Sequence, residues 1–223
     1  MEEFNMAVNV YLVRHGQTFL NKYHRMQGWS DTPLTEKGKQ DAARAGQALA
    51  QVDFDYAFAS DLKRTMDTAR ILLANHPTKI KEPTPAPAFR EEFFGYFEGL
   101  SSLSTAVFVS GNDNLSSFEE LIDTYGAEAT RDKIAAADTS HDAEDDATFW
   151  ARLTPGLDQL RALPDNSNVL VVSHGMTIRS IGSKYGLKGV HTAQPQNGSI
   201  TKLSLTPTDT TIDFYSQLTL PEE

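Results

Sequence analysis

The chain has 223 residues, 39% of them hydrophobic and 22% charged, which is ordinary for a soluble globular protein and long enough for one large α/β domain. Its formal net charge of −10 argues against non-specific binding to nucleic acid or an anionic membrane, so an anionic substrate needs a local cationic pocket. The absence of cysteine excludes disulfides, thiolate catalysis and Cys-ligated metals, and with no signal sequence or transmembrane run in view it predicts a cytoplasmic protein.

The first predicted element is a buried strand that ends at an arginine and a histidine. Residues 8–13 are mostly β-branched or aromatic, which is typical of a buried strand, and Arg14 and His15 follow directly. Gly16 then breaks the strand. The chain therefore brings a guanidinium and an imidazole to the end of one strand.

A helix is predicted after an irregular polar segment over residues 17–34. Thr35 would be the N-cap of this helix. We expect its buried face to consist of Ala42, Ala43, Gly46 and Leu49.

The next strand and helix carry a second arginine. A strand is predicted over residues 55–60, and the helix after it, capped by Ser60 or Asp61, would run to about residue 75. Arg64 would then lie in the first turn of that helix. Its guanidinium is expected near the carboxyl edge of the sheet.

The second half of the chain is predicted to complete a strand–helix alternation. Residues 82–87 alternate with prolines and can be neither helix nor central strand, so we expect an extended surface connection. Residues 100–146 interrupt the alternation with a long polar stretch rich in Ser and Asp. The remaining predicted elements are a helix over 147–162, a strand over 169–173, a helix near 177–185, and a closing hairpin or edge strands at 200–205 and 211–215.

This order of elements predicts an α/β fold. We expect a single domain over residues 1–223, built as a three-layer α/β/α sandwich around a mostly parallel central sheet. The segment 100–146 would form an inserted helical cap or lid at the edge of the site.

Two of the predicted strands end in a histidine followed by a glycine. His174 and Gly175 repeat the arrangement of His15 and Gly16. Parallel strands would place both imidazoles at one carboxyl edge, where open α/β sheets bind ligands. Arg64 would add a cation at a helix N-terminus, which itself carries positive potential. Together these residues favour phosphoryl chemistry on an imidazole.

Carboxylates and an amide are predicted to join this edge. The block 89–99 sets Glu91 and Glu92 among aromatic residues. An apolar setting raises a carboxyl pKa, so one of these acids could stay protonated and donate to a leaving group. Asn21, six residues beyond His15, could reach back as a neutral hydrogen-bond partner.

Four short sequence blocks, found in the same order as in the family, make the chain resemble the histidine phosphatase superfamily. The resemblance is to the branch that holds cofactor-dependent phosphoglycerate mutases and their phosphatase relatives. The first block is Arg14-His15-Gly16, with Asn21, Gly28-Trp29 and Pro33-Leu34-Thr35 downstream. The others are Ser60-Asp61-Leu62-x-Arg64-Thr65, Glu91-x-x-x-Gly95-x-x-Glu98-Gly99 and Ser173-His174-Gly175. The similarity runs from about residue 9 to 180 and is weakest across 100–146.

The resemblance implies that His15 is the nucleophile and forms a phosphohistidine, which splits one difficult step into two easier ones. Arg14, Arg64 and His174 would hold the phosphoryl oxygens. Arginine suits this role because its planar fork binds phosphate through two donors and stays charged.

The resemblance also assigns the acid and the neutral contacts. Glu91 would protonate the leaving oxygen and then activate water, with Glu92 as the local competitor. Asn21 and Gln27 would contact the phosphate, while Gln27 suits a turn equally well. No metal or other cofactor is implied, because positioning and charge stabilisation dominate phosphoryl transfer.

The composition of residues 100–146 favours hydrolysis over phosphoryl retention. Only Arg131 and Lys133 stand against eleven acids, among them Glu119, Glu120, Asp123, Glu144, Asp145 and Asp146. A cap of this charge would repel a bisphosphate at about 1 kcal/mol for each like-charge contact near a surface. Glu98 also stands where mutases tend to have glutamine.

We therefore expect a metal-independent phosphatase of small phosphomonoesters, in which Phe94, Tyr96 and Phe97 favour an apolar or sugar-like leaving group. The alternative is a phosphoglycerate mutase that depends on a bisphosphorylated primer. A third hypothesis is a pseudoenzyme that binds phosphorylated ligands, although binding alone would not require the acid. Nucleic acid and membrane partners are not expected, and nothing in the sequence marks an oligomer interface.

Overall fold

The computed structural model describes residues 7–186 and 193–221 of the chain. Its helices are α1 (Phe19–Lys22), α2 (Glu36–Ala48), α3 (Lys63–Ala74), α4 (Ser102–Ser110), α5 (Phe118–Ala137), α6 (Asp146–Arg161) and α7 (Gly175–Tyr185). Its strands are β1 (Val8–Arg14), β2 (Tyr56–Ala59), β3 (Thr84–Pro85), β4 (Asn168–Ser173), β5 (Ile200–Leu205) and β6 (Thr210–Gln217).

The strands form one mixed sheet in the order β3-β2-β4-β1-β5-β6. The first four of these are parallel to one another, and β5 and β6 close one edge as an antiparallel hairpin. The expected mostly parallel sheet and closing hairpin are confirmed. The proline-rich segment contributes only the short edge strand β3, where a missing N–H interrupts no ladder on its outer side.

Side chains that alternate along the strands bury two apolar layers. Val10 and Leu12 of β1 pack in the core that contains the apolar faces of α6 and α7. Tyr11 and Val13 point to the opposite face and pack with α2 and α3. The three-layer α/β/α sandwich is therefore confirmed.

The inserted segment is helical and covers the carboxyl edge of the sheet. It carries α4 and α5, and Gly126 interrupts α5 with a φ of 81°, a backbone region that favours glycine. A third apolar cluster joins this cap to the loops of the sheet; it includes Met26, Phe94, Phe97, Ile122, Ile134 and Met176.

Two helix expectations near the N-terminus were wrong in detail. The segment 17–34 is not wholly irregular, because Thr18 and Asn21 form a capping box that starts α1. In α2 the fully buried alanine beside Ala42 is Ala45, whereas Ala43 is only partly buried. Thr35 is the N-cap of α2, as predicted.

Two other helix starts differ because their capping groups are used elsewhere. The N-cap of α3 is Leu62 and not Ser60 or Asp61. The Ser60 hydroxyl contacts His174, and the Asp61 carboxylate pairs with Arg90. Helix α7 begins at residue 175, two residues earlier than predicted.

Within the residues that the structure describes, none of the helices combines the length and apolarity needed to cross a membrane.

Candidate active site

Two adjacent parallel strands bring the two histidines together. Arg14 pairs with Ser173 at the carboxyl ends of β1 and β4, so His15 and His174 leave the sheet side by side. Their ring centroids lie 5.3 Å apart, and both side chains are buried. The convergence predicted from the two strand ends is therefore present.

His15 is held as a neutral imidazole with a defined tautomer. Its Nδ1 lies 2.8 Å from the Gly16 carbonyl, and Arg64 Nε lies 3.3 Å from its Nε2. Because a guanidinium only donates, Nε2 must accept, and the proton resides on Nδ1. Burial, reinforced by the charges of Arg64 and Arg14, lowers the pKa of His15 well below 6.5.

His174 is neutral for the same reasons. Arg64 Nη2 lies 2.9 Å from His174 Nδ1, which therefore accepts, and Nε2–H donates to the Ser60 hydroxyl at 2.9 Å. Burial and then the charge of Arg64 lower its pKa well below the usual value. One arginine thus contacts both imidazoles.

Arg64 is fully buried in the first turn of α3, where it was predicted. Its Nη2 donates to the Gly28 carbonyl at 2.6 Å, and its Nη1 donates to the Ser30 carbonyl at 2.9 Å. Asp31 supplies a counter-charge at 3.3 Å. These acceptors, all from one loop, fix the plane of the guanidinium.

Arg14 is the second guanidinium at this edge. Its Nη1 donates to the Pro195 carbonyl, and its Nε is buried without a hydrogen-bond partner among the described residues. Burial lowers the pKa of Arg14 from its ordinary value. An unsatisfied buried donor is costly, so this N–H is ready to receive an oxyanion.

Glu91 lines the same cavity as His15 and lies at the start of α7. Its carboxylate accepts the backbone N–H groups of Met176 and Thr177, each at 2.9 Å, and the Thr177 hydroxyl at 3.1 Å. These contacts cap the first turn of α7 and explain its early start. The expectation of an apolar setting is therefore wrong for Glu91.

The acid in an apolar setting is Glu92. Burial raises the pKa of Glu92 to about 7, against the opposing charge of Arg131, whose Nε lies 3.1 Å away. Glu91 lines the cavity beside His15, whereas Glu92 is absent from that lining in the described residues. The structure thus separates the two neighbouring carboxylates into different surroundings.

Asn21 and Gln27 both reach the cavity but are engaged with their own loop. Asn21 Nδ2 donates to Gln27 Oε1 at 3.3 Å, and that oxygen also accepts the Thr18 hydroxyl at 2.5 Å. The Gln27 amide nitrogen donates to Thr32. The Gln27 side chain therefore makes contacts within its own turn and also faces the cavity, so its position fits both the turn role and the phosphate contact considered above.

Asn197 is a member of this edge that the sequence did not indicate. Its Nδ2 donates to the His15 carbonyl at 2.9 Å and lies 3.4 Å from Asn21 Oδ1. The contact joins residues 182 positions apart in the chain. The only local signal is the Asn-Gly-Ser turn before β5, which marks a turn and not a site.

The cavity in front of His15 is small, about 90 Å³. Its cations are Arg14 and Arg25. Its apolar lining residues are Met26, Phe94, Phe118 and Met176, and the rest of the wall is polar: His15, Asn21, Gln27, Glu91, Ser102 and Gln194. A larger cleft of about 630 Å³ lies between α5, α6 and α7. None of the predicted site residues lines that larger cleft. The candidate site is therefore identified by the chemistry of its residues and not by the volume of the cavity.

The six acids of the cap named above are engaged with partners of their own. Glu119 and Asp123 pair with Arg179, and Asp146 pairs with Arg131. The other three have local partners as well: Glu120 with Ser116, Glu144 with Arg152, and Asp145 with Thr148. Among the described residues none of the six lines the cavity, but the charge of Glu119 acts on Arg14, which does, and opposes the lowering of the Arg14 pKa.

Of the three aromatic residues expected to favour the leaving group, one lines the cavity among the described residues. Phe94 lines the cavity. Phe97 is buried in the cap cluster, and Tyr96 is 64% exposed away from the cavity lining. Phe118 of α5, which the sequence did not single out, takes a place in the wall.

The chain is similar in sequence to a known protein family and to individual proteins. The profile of the histidine phosphatase superfamily (branch 1) matches residues 10–107 and 111–217. A 2,3-bisphosphoglycerate-dependent phosphoglycerate mutase of Gloeobacter violaceus is 31% identical over 172 residues, which cover 76% of this chain and 72% of that protein. A probable phosphoglycerate mutase of Erwinia tasmaniensis is 32% identical over 176 residues, covering 77% of this chain and 71% of that protein.

Two solved structures represent both activities named among the relatives. A phosphoglycerate mutase from Bacillus anthracis superposes with a TM-score of 0.87 at 30% identity, covering 98% of this chain and 96% of that one. A mycobacterial glucosyl-3-phosphoglycerate phosphatase in complex with VO₃ superposes with a TM-score of 0.68 at 25% identity, covering 94% and 98%.

Proposed function

The chain belongs to branch 1 of the histidine phosphatase superfamily, and from this premise we propose that it is a metal-independent phosphatase of small phosphomonoesters that works through a phosphohistidine. The observation that carries the proposal is the neutral His15, whose Nε2 lone pair faces Arg64 beside the unpartnered Nε of Arg14. His15 and Arg14 line one small cavity, and Arg64 contacts His15 without lining that cavity among the described residues. Such positioning and charge stabilisation are what phosphoryl transfer requires.

In the first step His15 Nε2 attacks phosphorus, and the bond from phosphorus to the leaving oxygen breaks. Glu91 enters this step protonated and passes its proton to that oxygen, so an alcohol leaves and Glu91 becomes a carboxylate. Arg14 donates its unpartnered Nε–H to a phosphoryl oxygen, Arg64 and His174 exchange contacts within the site for contacts with the other phosphoryl oxygens, and Asn21 and Gln27 border them. The guanidinium groups balance the charge that develops on these oxygens.

In the second step water attacks the phosphohistidine. The Glu91 carboxylate takes a proton from the water, the new P–O bond forms, and the N–P bond breaks. His15 returns to its neutral state and inorganic phosphate leaves. The same carboxyl group thus serves first as acid and then as base.

The apolar part of the cavity wall and the small volume of about 90 Å³ support hydrolysis of an ester whose leaving group is small and carries little charge. The thioethers and phenyl rings of the wall cannot hydrogen-bond a carboxylate or a second phosphate, whereas Ser102 and Gln194 of the same lining are polar. Arg25, the further cation of the lining, is exposed and donates to the Gly99 carbonyl at 2.9 Å. We therefore favour a monoester of a small neutral or apolar alcohol.

A phosphoglycerate mutase is the second candidate. It is favoured by the names of the relatives and of the Bacillus anthracis structure reported above. A mutase must keep the phosphoryl group on His15 until the product hydroxyl takes it, and so depends on a bisphosphorylated primer. A phosphatase needs no primer and releases phosphate to water.

The test is phosphate release from a panel of phosphomonoesters in EDTA. The panel includes p-nitrophenyl phosphate, alkyl phosphates, and 3-phosphoglycerate with and without 2,3-bisphosphoglycerate. We expect release without primer that disappears in His15→Ala. The matched control is His141→Asn, at an exposed position with a φ of 58° that asparagine tolerates. Primer-dependent formation of 2-phosphoglycerate without net phosphate release would establish the mutase instead.

A further inference from the structure

Glu98 holds a loop through backbone contacts alone. Its Oε1 accepts the N–H groups of Trp29 at 2.9 Å and Phe94 at 3.2 Å. Its Oε2 accepts those of Gly28 at 3.2 Å and Ser30 at 3.0 Å. Three successive amides of one loop therefore converge on a single carboxylate, an arrangement that fixes the loop around the anion.

The carbonyl groups of the same loop bind Arg64. The carbonyls of Gly28 and Ser30, whose amides Glu98 holds, accept Nη2 and Nη1 of Arg64. Gly28 has no room for a side chain, because a Cβ there would lie 2.2 Å from both the Glu92 carbonyl and Glu98 Oε1. The loop is thus confined between the carboxylate and the guanidinium.

We propose that Glu98 is a positioning residue for phosphoryl transfer, which acts by fixing the 28–30 carbonyls that aim Arg64 at the two histidines. This proposal rests on the proposed function, in which Arg64 holds a phosphoryl oxygen. Among the described residues Glu98 does not itself line the cavity, and it contacts the lining residue Phe94 through the backbone N–H of that residue. Its effect passes through Gly28 and Ser30.

The substitution Glu98→Gln tests this link with little change in size. An amide offers one acceptor oxygen in place of two, and its NH₂ group would face two backbone N–H donors. Two of the four amides therefore lose their acceptor, and the loop carbonyls shift with them. Because Arg64 contacts the phosphoryl group and not the leaving group, kcat should fall about equally on alkyl phosphates and on p-nitrophenyl phosphate. We expect a loss of roughly 10- to 100-fold, the scale of a small misplacement of a positioned group.

A double-mutant cycle with Arg64→Met separates positioning from a general loss of structure. The readout is the Kd for inorganic phosphate, which stays measurable in the Arg64→Met background because Arg14 is intact. Glu98→Gln should weaken phosphate binding at least fivefold in the parent and less than twofold in Arg64→Met. A merely structural defect would lower affinity equally in both backgrounds, and that result would overturn the proposal.

Asp138→Asn is the matched control. Asp138 also sits among backbone amides, accepting those of Ser140, Asp142 and Ala143, but it has no contact with the 28–30 loop in the described structure. It should lower the melting temperature without changing phosphate affinity. If Glu98→Gln does not fold, Glu98→Asp keeps the charge, shortens its reach by one methylene group, and enters the same cycle.

The outcomes distinguish this proposal from the proposed function. A parent protein that binds no phosphate and hydrolyses no ester contradicts the proposed function itself. A parent that does both, with Glu98→Gln and Glu98→Asp unchanged within twofold, contradicts only the positioning role.

Discussion

At the scale of single residues, Arg64 determines which nitrogen of each histidine carries the proton. It donates to Nε2 of His15 and to Nδ1 of His174, so the two imidazoles are held as opposite tautomers. A lysine could not do this, since one ammonium lacks the planar fork that reaches both rings and the loop carbonyls. The Nε2 lone pair of His15 is therefore oriented by a residue from another strand–helix unit.

Replacing Glu91 by glutamine should make the rate depend on the leaving group. An alkoxide needs a proton and p-nitrophenolate does not, so we expect Glu91→Gln to slow alkyl phosphates by about 10²-fold or more. The loss on p-nitrophenyl phosphate should be several times smaller. The measurement is kcat/KM on both substrates.

Glu92→Gln is the control for that prediction. Glu92 adjoins Glu91 in sequence but pairs with Arg131 away from the cavity lining, so its removal should change stability and affect both substrates alike. Equal losses on both substrates in Glu91→Gln would contradict its role as the acid.

The residues of the site could be predicted where the motif and the strand ends agree. His15, His174, Arg14 and Arg64 meet at one edge because parallel strands share a direction, which a sequence pattern can indicate. The contact from Asn197 could not be predicted, because it depends on how the distant β5 hairpin docks. The partners of the cap acids could not be predicted either, since sequence reports that acids are present but not which cations they pair with.

At the scale of elements, helix α2 supports the loop that carries His15 through a contact that only glycines allow. A Cβ on Gly38 would lie 2.1 Å from the Gln17 carbonyl, and one on Gly16 would lie 2.1 Å from the Gly38 carbonyl. The N-terminus of α2 is therefore pressed against the backbone beside the nucleophile. Packing of this helix is linked directly to the position of His15.

Gly38→Ala should lower both stability and activity. Overpacking costs about 1–3 kcal/mol, and displacement of Gln17 should carry His15 away from Arg64, with kcat falling about tenfold or more. The measurements are the free energy of unfolding in urea and kcat on p-nitrophenyl phosphate.

Gly46→Ala provides a matched comparison on the same helix. Its Cβ would lie 2.4 Å from the Leu72 carbonyl of α3, an equally close contact that is not next to the nucleophile. It should lose similar stability and keep its kcat. Unchanged kcat in Gly38→Ala would show that α2 packing does not reach the site.

The elements themselves were mostly predictable, and the exceptions share a cause. Strand ends and helices with clear apolar periodicity were placed correctly. The starts of α3 and α7 were not, because Ser60 and Asp61 were used by distant partners and Glu91 capped α7 from another segment. Local rules for helix caps assume that each capping group is free, and tertiary contacts removed that freedom here.

At the scale of the whole molecule, two buried neutral histidines make stability depend on pH. The folded pKa values of His15 and His174 lie well below the unfolded value near 6.5. As pH falls below about 6.5 the unfolded chain binds protons that the folded protein does not, so stability falls. Each histidine steepens this slope by up to about 1.4 kcal/mol per pH unit. Above this range the contribution is constant.

The measurement is urea unfolding between pH 5 and 7.5 in the parent and in His15→Ala. Glu92 acts in the opposite direction, since a folded pKa of about 7 keeps a proton that the unfolded chain releases above 4.5. Because Glu92 is the same in both proteins, it cancels in the difference. The slope should be shallower in His15→Ala; identical slopes would mean that His15 titrates normally when folded.

The site as a whole also carries a buried donor that an oxyanion would satisfy, so ligand binding should stabilise the fold. Arg14 Nε has no partner in the described structure, and burial lowers the pKa of Arg14 and of Arg64. An anion that binds only the folded state at 100 times its Kd adds about 2.7 kcal/mol. For a chain of this size that corresponds to a rise in melting temperature of about 5–10 °C.

Orthovanadate at submillimolar concentration in EDTA is the suitable probe, because it is too dilute to act as a stabilising salt. Arg14→Gln should lose most of the rise, while chloride of equal ionic strength should give none. An equal rise in Arg14→Gln would show that the anion binds away from the His15 cavity. Arg14 Nε would then not have the phosphate-binding role proposed for it.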